Sequence, residues 1–320
     1  MQTVILNKIF KILLKENSFT SDIAGNISKI KNRIFSGFNS RCTSRNQRFD
    51  FSFSFRDKLI KGIRFSYNNY AEKEHFISKV TSVCGIFGSR YNIKKLRGIL
   101  EIMQPGYLRH QTTIGVEWLL GRPYPRFKVY FEELRQNYAI EERLKKLRDI
   151  FGYIGLNQKK MPISSKEDIA AICIDLLPNT KLEIKTYTFT KSLNEFLAKS
   201  NFKKFPFLYK RLKVFRGCLL KEDKIFYYFT KRFSSAEELL SEKIYKIYEV
   251  NQISDPSLSI SEIKELLKRL NLLKEAGQIE LISNICKENK LIFYPVIAAL
   301  DLKLPNESRI DLYYSFRDKM

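Results

Sequence analysis

Between Ile169 and Phe189 the sequence IAAICIDLLPNTKLEIKTYTF alternates apolar and polar positions on either side of Leu177-Pro-Asn-Thr180. Alternation flanking Pro-Asn predicts a β-hairpin. In its second arm Leu182 and Ile184 share one face, and Glu183, Lys185 and Tyr187 the other. The unit recurs. Ile297–Phe316 repeats the Ile-Ala-Ala opening, an Asp at 301, a Pro305-Asn306 turn, and Ile310/Leu312 against Arg309/Asp311/Tyr313. Thr112–Phe131 carries Glu117 where the first unit has Asp175, turns at Gly121–Pro125, and alternates Phe127, Val129 and Phe131 with Lys128 and Tyr130. Val214–Phe229 is a weaker copy turning at Lys221–Asp223. In Arg48–Tyr67, Phe49, Phe51, Phe53 and Phe55 alternate with Asp50, Ser52 and Ser54, then Ile63, Phe65 and Tyr67 with Arg64 and Ser66. Hairpins near 48–67, 112–132, 169–189, 214–230 and 296–316 therefore form an internal repeat.

Helical stripes fill the intervals. They are expected over 3–15 and about 20–34, followed by a polar loop that completes an N-terminal region of residues 1–46. Further helices are expected over Ala71–Val83, Asn92–Met103, Ala139–Phe151, Lys191–Lys199, Phe205–Leu212 and about 278–288. Ser235–Val250 reads as an amphipathic helix through Leu239, Leu240, Ile244 and Ile247, and Ser259 with Glu262 reads as a capping box opening another. Hairpins followed by helices are not the single-strand, single-helix alternation of parallel α/β folds. The expectation is an α+β fold: a ten-stranded antiparallel β-barrel of five hairpins inside a ring of α-helices. No Pro/Gly/Ser linker interrupts 1–320, so one domain is expected.

In such a barrel the apolar strand faces meet the helices, and the charged and tyrosine faces line the lumen. The inward set is then Asp50, Ser52, Ser54, Arg64, Glu117, Lys128, Tyr130, Asp175, Glu183, Lys185, Tyr187, Phe226, Tyr228, Arg309, Asp311 and Tyr313. Lys128/Tyr130 and Lys185/Tyr187 are Lys-x-Tyr pairs, each sharing one strand face. Cations converging in a low-dielectric chamber suit a diphosphate. Aromatic rings beside them can shield a carbocation. Together they supply what prenyl transfer needs. The alternative is that the tyrosines only fill the barrel and the lysines are ion-paired to Asp175, Glu117 and Asp301.

Composition changes the picture in two ways. Phe (25) and Tyr (17) within a 44% hydrophobic chain of 320 residues provide a large core. A net charge of +23 attracts polyanions, which keeps nucleic acid open as a different class of partner. A nucleic-acid binder, however, needs basic residues clustered on an outer face with exposed aromatics between them. Cys42, Cys84, Cys173, Cys218 and Cys286 are scattered without CxxC spacing, and His75 and His110 are the only histidines. That pattern argues for a reducing, cytoplasmic compartment and against a zinc site. No apolar run approaches the roughly 20 residues of a membrane span. The cationic, amphipathic MQTVILNKIFKILLKE lacks a signal-peptide cleavage pattern and is expected to be a packed helix. Neither a Gly-rich phosphate loop nor a nucleophile elbow occurs.

Asp57-Lys58-Leu59-Ile60 leading to Arg64-Phe65, the Lys128-Val-Tyr130 strand and Arg309-Ile-Asp311-Leu-Tyr313-Tyr314 follow the order and frame of a known family. From about Arg48 onward the chain resembles the ABBA (αββα-barrel) aromatic prenyltransferases, and most closely the cyanobactin peptide prenyltransferases. The resemblance implies a prenyl group, dimethylallyl or longer, moving from its diphosphate to a nucleophilic side chain of a ribosomal, macrocyclic peptide or an aromatic acceptor. By it, Asp50 falls on the catalytic acid of the first strand. Arg64, Lys128, Lys185 and Arg309 would hold the diphosphate. Tyr130, Tyr187, Tyr228 and Tyr313 would shield the cation, with Phe215 and Phe226 crowding the prenyl end. Use of Mg²⁺ is implied too, although no DDxxD-type motif is present. Two departures stand out: Asp50 replaces the family's usual Glu, and Asp311 stands where a basic residue is expected. They keep a barrel that binds ligand without turnover as a further reading.

Overall fold

A computed structural model describes residues 25–26, 28–30, 49–56, 59–69, 73–88, 90–103, 112–119, 122–157, 163–164, 167–190, 192–194, 212, 225–234, 239–248, 256–288, 290–301 and 310–318. Its strands are β1 (Phe49–Arg56), β2 (Leu59–Asn69), β3 (Thr112–Leu119), β4 (Arg126–Phe131), β5 (Ile169–Leu176), β6 (Leu182–Thr190), β7 (Ile225–Ser234), β8 (Leu239–Tyr248), β9 (Leu291–Asp301) and β10 (Ile310–Asp318). Every neighbouring pair is antiparallel, and β1 pairs with β10, closing the sheet into a barrel. Closure leaves no unpaired edge among these strands.

Six labelled helices accompany the strands: α1 (Lys73–Cys84), α2 (Ile93–Met103), α3 (Leu134–Asn137), α4 (Ile140–Tyr153), α5 (Pro256–Arg269) and α6 (Leu273–Glu288). Their stripes face inward: Phe76, Ile77, Val80 and Val83 on α1; Leu96, Ile99, Leu100 and Met103 on α2; Leu144, Leu147, Ile150 and Phe151 on α4. Asn92 Oδ1 accepts from the Lys95 N–H at 2.9 Å, capping α2. Past α4, Gly155 adopts φ 84°, and the Leu156 N–H reaches back to the Phe151 carbonyl at 2.8 Å. A residue without Cβ takes that left-handed position without strain.

Burial separates two apolar bodies. One joins the helices to outward strand residues, including Ile114, Val116, Trp118, Phe127, Val129, Phe131, Ile172, Ile174, Ile184, Ile244, Leu300 and Leu312. The other lies inside the barrel and comprises Cys173, Tyr187, Tyr245, Ile247 and Ala299, with Tyr130, Ala171, Phe226, Tyr228, Ile297 and Tyr313 packed against it. Trp118 Nε1 donates to the Arg122 carbonyl at 2.9 Å, and the Tyr91 hydroxyl donates to the Pro125 carbonyl at 2.8 Å, bracing the β3–β4 connection.

Four sequence expectations are corrected. The fourth hairpin is β7 with β8, the 214–224 part of the expected one lying outside the described residues, and 239–248 of the expected Ser235–Val250 helix is a strand. Leu240, Ile244 and Ile247 satisfy a helical spacing, whereas the strand divides them: Ile244 joins the outer core and Ile247 the lumen. Lys246 hid the period-two pattern, because it occupies an outward position normally apolar. There it is 2% exposed and bonds Glu262 of α5. The capping box is also displaced: α5 begins at Pro256, a favoured first-turn residue, so Ser259 and Glu262 lie inside the helix. The last helix begins at Leu273, earlier than position 278. Helices expected over 3–15, 20–34, Lys191–Lys199 and Phe205–Leu212 lie largely outside the described residues.

Candidate functional site

Strand register brings charged residues together beside the hairpin turns. Glu117 near the end of β3 faces Arg126 at the start of β4, and Lys128 faces Asp175 near the end of β5. Asp175 faces Glu183 at the start of β6, while Lys185 faces Arg232 of β7. Lys128 is 1% exposed, and its Nζ donates to both Asp175 oxygens at 3.0 Å. It also lies 3.2 Å from Glu117 Oε2. Arg126 reaches Asp175 at 3.3 Å and Glu117 at 3.5 Å, and Arg232 Nε lies 2.7 Å from Glu183. Opposite Lys128 stands Gly115, where an added Cβ would meet the Tyr130 ring at 3.0 Å and Lys128 Cβ at 3.3 Å. The missing side chain makes room for the Lys128/Tyr130 pair.

Asp175 is fully buried. Burial pushes its carboxyl up, but Lys128, Lys185 and Arg126 more than offset this and hold it well below the usual carboxylate range. Lys185 shows the opposite balance. Burial lowers its ammonium to about 7 despite Asp175, whose nearest oxygen is 4.0 Å away. Burial and the neighbouring Asp175 raise the Cys173 thiol, which donates to Asp175 Oδ1 at 3.2 Å.

Farther from those turns the wall becomes aromatic. Ring centroids run from Tyr130 to Tyr187 at 6.2 Å, Tyr187 to Tyr245 at 5.5 Å and Tyr245 to Tyr313 at 6.1 Å. Tyr228 lies 6.3 Å from Tyr187, and Phe226 lies 5.3 Å from Tyr228 and 5.9 Å from Phe189. Burial, Tyr245 and Tyr130 raise the Tyr187 hydroxyl far above its ordinary value, so it stays neutral. The lumen is thus charged near the turns and aromatic beyond them.

The candidates from the sequence distribute as follows. Lys128 and Lys185 share the charged cluster, whereas Tyr130, Tyr187, Tyr228, Tyr313 and Phe226 share the aromatic one. Arg64 pairs in register with Glu117, beside the charged cluster. Asp50 pairs with Ser66 and Ser315, two positions past Ser52, whose partner is Tyr313. That register sets Asp50 toward the aromatic end. Phe215 and Arg309 lie outside the described residues. Asp311, unexpected as an acid, is 1% exposed and accepts from Lys243 Nζ at 2.6 Å. Lys243 and Tyr245 of β8 were missed as lumen residues. Together they form a third Lys-x-Tyr pair, and recurrence of that dipeptide spacing was the signal that could have found them.

Among the described lumen side chains, Arg126, Lys128, Lys185, Arg232 and Lys243 face Glu117, Asp175, Glu183 and Asp311, an excess of one cation when all are ionised. The +23 of the chain is therefore mostly elsewhere. Among the described residues Mg²⁺ finds no ligand set: Glu117, Asp175, Glu183 and Asp311 are engaged by Lys and Arg, and no group of three or more His, Cys, Asp or Glu is placed to hold a metal. No described helix is long and apolar enough to cross a membrane.

No protein-family model matches the sequence, and no curated protein matches it. Solved structures do match the architecture. Aligned with 5-dimethylallyltryptophan synthase from Streptomyces coelicolor, the chain gives a TM-score of 0.72 at 13% identity, covering 97% of this chain and 95% of that one. AnaPT from Neosartorya fischeri gives 0.65 at 10% identity over 96% and 91% of the two chains. NotF, in complex with brevianamide F and DMSPP, gives 0.60 at 10% over 96% and 92%. At these identities the likeness is one of fold, and the fold is the αββα barrel of the aromatic prenyltransferases.

Proposed function

We propose that this chain is a prenyltransferase that moves a dimethylallyl group, or a longer prenyl group, from its diphosphate to a nucleophilic side chain. The single observation that carries the reading is the order of the lumen: cations near the hairpin turns, then a continuous aromatic wall. Arg64, Lys128, Lys185 and Arg309 receive the diphosphate, and Lys243 joins them. The allylic C–O bond breaks with its electron pair leaving on the diphosphate. Tyr130, Tyr187, Tyr228, Tyr313, Phe226 and Phe215 shield the resulting cation by their π faces. An acceptor π bond or lone pair then attacks the allyl carbon, and Asp50 takes the proton that the acceptor loses. The Phe189–Phe226–Tyr228 contacts narrow the aromatic end and favour the short dimethylallyl chain.

The acceptor is an aromatic compound or a side chain of a modified, macrocyclic ribosomal peptide, acting in the cytoplasm. Two comparisons support an aromatic acceptor: the Streptomyces coelicolor enzyme is described with DMASPP and Trp, and NotF with brevianamide F and DMSPP. The resemblance to cyanobactin peptide prenyltransferases supports the peptide. A second reading is favoured by the ion pairs of Lys128 and Lys243 to lumen acids: a barrel that holds a diphosphate or peptide without turnover. Incubation of the protein with dimethylallyl diphosphate and tryptophan, a tryptophan-containing cyclic dipeptide or a tyrosine-containing macrocyclic peptide separates the two. Mass spectrometry is expected to find an acceptor one prenyl unit heavier. Donor binding with no modified acceptor in any mixture would favour the barrel without turnover.

A further inference from the structure

Asp175 is bonded on both oxygens by Lys128, approached by Arg126 at 3.3 Å and bonded on one oxygen by Cys173. Lys185 is left at 4.0 Å, beyond hydrogen-bond reach of that carboxylate. Around it stand Lys128 and Tyr130 from β4, Cys173 and Asp175 from β5, Glu183 and Tyr187 on its own strand, and Arg232 opposite in β7, with Arg126 of β4 reaching Asp175 and Glu183. Glu117 of β3 completes the neighbourhood through Lys128. Its acidic neighbours are already engaged, Glu183 by Arg232 at 2.7 Å and Glu117 by Lys128 at 3.2 Å. Among the described residues, Lys185 is therefore the buried lumen cation with the least counter-charge of its own, at 5% exposure.

We propose that Lys185 is the proton-coupled receptor of the lumen, so that a diphosphate entering the barrel binds it with uptake of one proton from solvent. This inference rests on the diphosphate-binding reading above and adds a pH linkage to the same site. Empty, the site weakens the ammonium, since burial lowers Lys185 to about 7, and above that pH the neutral amine prevails. A phosphoryl oxygen within hydrogen-bond distance supplies the missing counter-charge and raises the group again. Between the free and bound values each bound ligand carries in one proton. Affinity consequently falls as pH rises through that window, by about tenfold per unit.

The probe is dimethylallyl thiolodiphosphate at pH 8, where its terminal phosphate, with a second ionisation near pH ~6, is already fully charged. Calorimetry in two buffers of unlike ionisation enthalpy reads the proton count. Wild type is expected to take up about 0.9 proton per ligand, the fraction of a group titrating near 7 that is neutral at pH 8. Lys185→Arg, which keeps its charge, is expected to bind with heats that do not depend on buffer. Uptake equal in wild type and Lys185→Arg would overturn the assignment to Lys185. Binding by wild type without uptake would overturn the proposal while leaving the diphosphate site standing. No binding by wild type would overturn both. The wild type also gives a readout independent of any variant: its Kd is expected to rise about tenfold between pH 8 and 9, and a flat profile contradicts the linkage.

Discussion

Lys128→Ala is expected to remove about 3–5 kcal/mol of folding stability, because it strips the main counter-charge from carboxylates that remain buried. Asp175 is fully buried and takes two 3.0 Å bonds from Lys128, and Glu117, 2% exposed, takes a third contact from it. Low dielectric makes an unmatched charge there far more expensive than the pair is favourable. Urea denaturation followed by circular dichroism measures the loss. Lys128→Met with Asp175→Asn is expected to recover most of it, since the charge and its counter-ion leave together. A loss below about 1 kcal/mol, the range of exposed ion pairs, would mean that Lys128 is held in solvent instead. The same result warns against reading ligand binding from Lys128→Ala alone, since lost affinity would then reflect lost structure.

Asp50→Ala is expected to lower turnover about 10²–10⁴-fold, the usual contribution of a positioned general base. Affinity for the donor analogue is expected to stay within about threefold of wild type, a change of less than ~1 kcal/mol. The separation follows from register. Asp50 is aligned with Ser66 and Ser315 at the aromatic end, whereas Lys128, Lys185 and Lys243 lie toward the turns. Asp50→Glu restores a carboxylate with one more methylene and is expected to regain turnover. Steady-state kinetics beside donor titration distinguishes the roles. Equal losses of turnover and affinity would make Asp50 part of the donor site, and unchanged turnover would remove it from the chemistry.

Period-two alternation made most of the barrel wall legible. In β3, β4, β5 and β6 it named the lumen face residue by residue: Glu117, Lys128, Tyr130, Asp175, Glu183, Lys185 and Tyr187. Leu177-Pro-Asn-Thr180 worked as a turn signal because Asn179 takes φ 67°, a region asparagine tolerates. β8 was illegible for a specific reason. Its outward Lys246 is neutralised by Glu262, a partner on α5 that a strand read by itself does not reveal. With β8 unread, Lys243 and Tyr245 were lost, and Asp311 looked like a departure. It is the counter-ion of Lys243.

Partner choice inside the lumen was equally hidden. Lys128 and Asp175 are 47 positions apart in sequence, as set by cross-strand register, and the sequence offered Asp175, Glu117 and Asp301 as equal partners for its lysines. Closure of the sheet decides which carboxylate each cation meets. It also decides which one, Lys185, is left at a distance.

Titration of the wild-type protein with dimethylallyl thiolodiphosphate by calorimetry, with and without Mg²⁺, is the most direct experiment on the lumen as a prenyl diphosphate site. One site of micromolar affinity, about −8 kcal/mol, is expected, and its persistence without Mg²⁺ follows from carboxylates already committed to Lys and Arg. Absence of binding under both conditions would contradict a donor site in the barrel. It would turn attention to the +23 charge of the chain and to nucleic acid as its partner.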